Sequence, residues 1–371
     1  MSNRIRALAA AALSLAALAP ISFASAADLP VKAKAKPVAD LPFFFVIDDR
    51  VSFSYIFRAS QPGQYTINPN GTLNNHETKQ VYSFSHFDAW QYGTNFFGIS
   101  LYKSSHNDPT GPCVDNAAAT AWVASGTNNL ASCAGASEIY GLIRSTFGWN
   151  EIFGTKAFSM GPLHNISFEI GADANVDNRY IDVAKRDFVG GLQFAFDLPY
   201  KGYFNVAPLA YKEINHNAFD QCGLPFNTVP GVNCLADGNT SFRTTWAVET
   251  NYYMDLGFLP ENMQFFSVSG RAAWYGPKGN ENSPMPAGPV GFGAQTKVEF
   301  NGEPIRLTFD ASKAVWGAKY THNLDLWVAY RYWENKFGLD HATSPTCLTP
   351  SGAQNGTCIE SSFYAGVTAK F

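Results

Sequence analysis

Apolar and polar residues alternate with a period of two along most of this chain, in runs of about ten residues separated by turn-rich stretches. Val51, Phe53, Tyr55 and Phe57 share a face in the first run, and a second covers 79–89. Phe97, Ile99 and Leu101 align over 94–103, Ile139, Gly141, Ile143 and Phe147 over 137–148, and Ile166, Phe168 and Ile170 over 163–174. Phe188, Leu192, Phe194 and Phe196 follow over 186–197, then Phe204, Val206 and Pro208 over 203–213. Phe242, Trp246, Val248 and Tyr252 align over 241–252, and Phe266, Val268, Ala272 and Trp274 over 263–275. Leu324, Leu326, Val328, Tyr330 and Tyr332 align over 323–334. The last run reaches the end of the sequence, with Phe363, Ala365, Val367, Ala369 and Phe371 on one face and Ser362, Tyr364, Gly366, Thr368 and Lys370 on the other.

Residues 290–320 are ambiguous. Ile305, Leu307 and Phe309 alternate there, but Asn301-Gly302 is a strong hairpin signal. One strand gives twelve in all, and an extra hairpin gives fourteen. A two-faced final strand ending on Phe suits a closed sheet, whose last strand seals against its first. In lipid, an open edge would leave backbone N–H and C=O groups without partners. The expectation is therefore an all-β fold: a closed antiparallel transmembrane β-barrel of about twelve strands over 49–371.

Parity supports twelve. With both termini on the periplasmic side, alternate connections are long and face outward, and the others are short. The stretches 104–136, 214–239 and 335–358 then become extracellular loops, while 90–93 and 198–202 become periplasmic turns. Those three long stretches carry all six cysteines, as Cys113/Cys133, Cys222/Cys234 and Cys347/Cys358. None has C-x-x-C spacing and few histidines lie nearby, which argues against zinc. Nearest-neighbour disulfides, each stapling one loop, are the expectation for an exported chain.

The N-terminus agrees with export. Arg4 and Arg6 precede the apolar stretch Ala7–Ile21 and the small-residue site Ala24-Ser25-Ala26, which reads as a signal peptide over 1–26. Residues 27–48, with three lysines and three prolines, read as a periplasmic lead-in. No other segment is long and apolar enough for a transmembrane helix, which needs about 20 residues. Composition changes the picture in one respect. Charged residues make up only 15%, against about 25% in soluble domains. Aromatics reach 15%, yet mean hydropathy is −0.13. That combination suits strands that alternate lipid-facing and lumen-facing residues. Formal net charge is −4, or −6 once Arg4 and Arg6 are removed, and no basic patch points to nucleic acid.

With the apolar face against lipid, the alternate residues point inward. They include Arg144, Glu169, Arg243, Glu249, Arg271, Trp327 and Arg331. Both signs of charge occur in comparable numbers, whereas an ion-selective pore shows one sign dominating. Passive passage of small neutral solutes is the resulting expectation. In 81–89, Tyr82, Phe84, His86 and Asp88 share a face. A basic group at the bilayer midplane costs about 2–4 kcal/mol, so His86 and Asp88 argue that this face looks inward. Tyr82, Phe84 and, on the next strand, Phe96 then form a stacking path for bases. The alternative for the same aromatics is a girdle at the membrane boundary.

The run His86-Phe87-Asp88-Ala89-Trp90-Gln91-Tyr92-Gly93-Thr94-Asn95-Phe96-Phe97 resembles the nucleoside-specific channel-forming (Tsx-like) outer-membrane family. The resemblance is specific over about a dozen residues, rests elsewhere on length, strand count and the C-terminal strand, and implies a monomeric twelve-stranded barrel passing nucleosides and deoxynucleosides. The three cysteine-bearing loops depart from that pattern. No nucleophile–base signature stands out beyond the His86/Asp88 pair, so neither an enzyme nor a cofactor or metal site is expected. A structural or adhesive barrel with a plugged lumen, and a general porin, are the rival readings.

Overall fold

A computed structural model describes residues 43–68, 70–105, 108–109, 135–178, 184–215, 229–232, 234–282 and 297–371. Twelve long strands form one antiparallel barrel. They are β1 (Phe44–Ala59), β2 (Glu77–Trp90), β3 (Gly93–Ser104), β4 (Ser137–Gly148), β5 (Leu163–Asp177) and β6 (Arg186–Leu198). The remainder are β7 (Gly202–Asn215), β8 (Thr245–Asp255), β9 (Phe266–Tyr275), β10 (Glu299–Asp310), β11 (Leu324–Glu334) and β12 (Ile359–Lys370). Each pairs with its sequence neighbours. β1 closes the ring by pairing with β12, from Arg50 opposite Lys370 to Ile56 opposite Tyr364. Thr240–Ser241 adds a two-residue extension beside β7.

The barrel is inside-out relative to a soluble domain, with large apolar side chains on its outer wall. Val51, Phe53, Ile99, Ile143, Phe168, Ile170, Phe188, Trp246, Leu307, Val328 and Phe363 are all exposed there. No helix among the described residues is long and apolar enough to cross a membrane. Rings gather around the end where β1 begins and β12 finishes. Trp90 contacts Phe43, Tyr92 and Phe147, Trp149 contacts Phe153 and Phe158, and Trp316 contacts Tyr320. Amphipathic rings favour the water–lipid boundary, so this is an aromatic girdle.

Two sequence expectations are revised and one ambiguity is resolved. β1 begins at Phe44, so 44–48, expected as lead-in, is strand. The signal peptide and the rest of the lead-in lie outside the described residues. Over 297–320 there is one long strand, as the twelve-strand expectation has it, and no extra hairpin. Asn301-Gly302 sits within β10, and a register shift between Gly302 and Ile305 absorbs the irregularity around Pro304. The neighbours β9 and β11 supply paired edges on both sides, which overrides the local turn preference. The strand expected over 241–252 is displaced to Thr245–Asp255.

At the end opposite the termini, the connections 60–76 and 335–358 knit into a cap. Gly63 N donates to Thr357 Oγ1 at 2.9 Å, and Asn75 Nδ2 donates to Asn355 O at 2.6 Å. Cys347 and Cys358 are disulfide-bonded as expected. They pack with Phe337 and Leu339 in a small apolar cluster against Trp333. Cys234 is also disulfide-bonded; Cys113, Cys133 and Cys222 lie outside the described residues.

Candidate functional site: the barrel lumen

Side chains at directly paired strand positions share a face, so register decides what lines the lumen. Phe96 is opposite Arg144, and both point inward. Arg144 spans the interior from β4 to β8. Its Nε donates to Glu249 Oε2 at 2.9 Å and its Nη2 to Oε1 at 2.7 Å. Arg144 also pairs with Asp173, which accepts from Tyr140 OH at 3.0 Å. The crossing needs Gly171. A Cβ there would meet Arg144 Cδ at 2.6 Å. Glu169, behind the bridge, accepts from Gln193 Nε2 at 2.8 Å. Three strands lie between β4 and β8, so this fork is a chord across the lumen.

A second feature lies on β9, β10 and β11. These adjacent strands each present an arginine inward: Arg271, Arg306 and Arg331. Arg306 pairs with Glu303 at 2.5 Å and stacks over Trp327 at 3.9 Å. Trp327 is buried and donates from Nε1 to Thr368 Oγ1 at 3.0 Å. Arg331 pairs with Glu360 at 3.1 Å. Arg271 faces Asn251 on one side and Glu303 on the other, and it is exposed to the lumen. The wall of β12, β1, β2 and β3 opposes these arginines with small hydroxyl residues. Ser52 bonds Thr368, and Ser83 bonds Ser100, each at 2.8 Å.

The structure overturns the inward assignment of Tyr82, Phe84, His86 and Asp88. Tyr82 pairs with Phe53 and Leu101, and Phe84 with Val51 and Ile99, all on the outer wall. Tyr82 is itself exposed there and touches the Phe53 ring at 5.2 Å. His86 and Asp88 are accommodated by depth and by one another. Asp88 is opposite Asn95, close to the turn joining β2 and β3. His86 Nδ1 meets Asp49 Oδ1 at 2.7 Å and its Nε2 meets Asp88 Oδ2 at 3.2 Å. Asn95 Nδ2 donates to Asp88 Oδ1 at 2.8 Å. The cost of polar groups falls steeply from midplane to interface, and this cluster adjoins the Trp90 girdle.

Phe96, Arg144, Glu169, Glu249, Arg271, Trp327 and Arg331 do line the interior. Arg243 does not. It sits in an exposed connection just before β8, where its backbone N donates to Gly279 O. Lumen aromatics that the aromatic-run argument passes over include Tyr102 and Tyr275. Tyr102 alternates with Leu101 and Ile99, which was the signal available to find it.

No protein-family model matches this chain, and no curated protein does. Its fold is similar to that of several solved barrels. The β domain of the Bordetella autotransporter BrkA aligns at TM-score 0.35 and 8% identity, over 88% of this chain and all of that one. CdiB from Escherichia coli aligns at 0.31 and 10%, over 86% and 62%. The outer-membrane protein OpdK from Pseudomonas aeruginosa aligns at 0.26 and 9%, over 88% and 98%.

Proposed function

We propose that this protein is a bacterial outer-membrane channel for passive diffusion of small hydrogen-bonding solutes. The observation that supports this most is the inverted polarity of a closed barrel: apolar outside, ion-paired and hydroxyl-lined inside. In this reading the end bearing both termini and the short turns is periplasmic, and the disulfide-stapled cap faces outward. Lipid is the partner of the outer wall, and the barrel acts as a monomer without cofactor.

Nucleosides are the solutes that the family resemblance suggests. Tyr82 and Phe84 cannot stack with them from the lipid side. Phe96, Tyr102 and Tyr140 are among the lumen-facing rings available for that role, beside the Arg144–Glu249 chord. Liposome swelling tests the reading. The expected result is swelling in adenosine faster than in a sugar of similar size. Equal rates would indicate a general pore, and no swelling in either solute would indicate a structural barrel.

A further inference from the structure

The lumen pairs its cations with care. Arg50 meets Asp48 and Asp325, Lys79 meets Glu77 and Glu138, and Arg144 meets Asp173 and Glu249. Arg306 holds Glu303 at both oxygens, and Arg331 holds Glu360. Arg271 departs from this rule. It lies midway along β9, points inward, is exposed, and makes no hydrogen bond or ion pair within the described residues. Its cross-strand neighbour Glu303 is already engaged by the Arg306 fork. Three guanidiniums therefore share two carboxylates on this stretch of wall.

Four groups act electrostatically on Arg271. They are Glu303, Tyr140, Tyr102 and Tyr275. Arg271 in turn acts on Arg331, across β10. Tyr102 and Tyr140 come from β3 and β4, on the other side of the lumen. A solute passing this level thus meets an open guanidinium fork on one side and phenol rings on the other. A guanidinium presents five N–H donors in a plane that matches two oxygens of a carboxylate or phosphate. An unpaired one in a confined, partly dehydrated lumen favours an oxyanion over a neutral group.

We infer that Arg271 is an oxyanion-recognition point of the lumen, selecting small organic solutes that carry a carboxylate or phosphate beside an aromatic ring. The inference rests on solutes reaching the lumen, as in the channel reading above, but equilibrium binding tests it without conduction.

Isothermal titration of the folded, detergent-solubilised barrel should be run with two matched pairs: benzoate against benzamide, and adenosine monophosphate against adenosine. At least one anion is expected to bind about tenfold or more tightly than its neutral partner, as for a hydrogen bond to a charged group. The pair that shows the difference identifies carboxylate or phosphate as the source. Arg271→Gln should erase that difference, and Arg271→Lys should restore part of it. Because Arg271 holds no partner among the described residues, the Gln variant should keep the β-sheet circular dichroism of the parent. Equal binding of both members in both pairs would overturn the inference, as would a difference that persists in Arg271→Gln. A barrel that binds the anion yet passes no solute into liposomes would sink the channel reading while leaving this one standing.

Discussion

Arg144 illustrates how one side chain sets the lumen. It reaches Glu249 only because Gly171 leaves a gap above the sheet. Arg144→Ala strands Glu249 and Asp173 as unpaired carboxylates and should cost about 3 kcal/mol. Single-channel conductance should rise at the same time, because the chord is gone. Adding Glu249→Ala should recover part of the stability but none of the restriction. Unchanged conductance in both variants would show that the narrowest level lies elsewhere. Phe84 makes the opposite case. It packs beside the Phe97 ring on the outer wall. Phe84→Ala should lower stability in lipid by about 1–3 kcal/mol, the transfer value of one large apolar side chain. Urea unfolding from vesicles would measure it. Solute block of the current should not change, and a loss of block would return Phe84 to the lumen.

Among the elements, the 335–358 connection is held by buried polar contacts as well as by its disulfide. Its Lys336 is buried, donating to Ser60 O at 2.6 Å and pairing with Glu360. Replacing Cys347 and Cys358 with Ser removes a staple that closes only a local loop and crosses no strand ladder. Proteolysis within 335–358 should accelerate while the β-sheet circular dichroism stays intact. Loss of the sheet signal would mean that the cap holds the barrel together. Burial pushes the Lys336 ammonium down to about 8, against the pull of Glu360. The unfolded loop keeps its proton up to the ordinary value of 10.5. Between those limits the unfolded form binds more protons, so the cap should gain stability as pH rises from about 8 toward 10.5. Below that window Lys336 should contribute no slope. Protease protection of the loop as a function of pH measures this, with Lys336→Met as the control. An identical slope in the variant would assign the effect to another group.

For the whole molecule, an even number of strands puts the start of β1 and the end of β12 at one end and the 335–358 cap at the other. In intact cells a membrane-impermeant maleimide should label Gly352→Cys, in the cap, and spare Gly154→Cys, between β4 and β5. Labelling only the second site would invert the barrel. The inside-out polarity that supports membrane insertion is also a property of the whole. No single strand shows it until the ring closes and one face of every strand becomes a lumen.

The period-two alternation by itself determined the strands, their number to within the 290–320 ambiguity, and which face of most of them is apolar. It could do so because every barrel strand faces two different solvents along its whole length. The sequence also placed Cys234, Cys347 and Cys358 in long connections, since parity alone sorts those to one end. Only the tertiary structure decided β2. Its residues 81–89 carry aromatic and polar groups on both faces, so local pattern could not choose between them. The pairing of Phe84 with Val51 and Ile99 made the choice, because a strand in a ladder takes the facing that its two neighbours impose. His86 and Asp88 then fell outward, tolerated near the rim by Asp49 and Asn95. The same holds for the lumen's charges. The sequence supplied nearly balanced signs, but the distribution that leaves Arg271 unpaired among the described residues depends on contacts between strands far apart in the chain. Arg144 finds Glu249 more than a hundred positions away, a pairing that alternation does not encode and ring closure does.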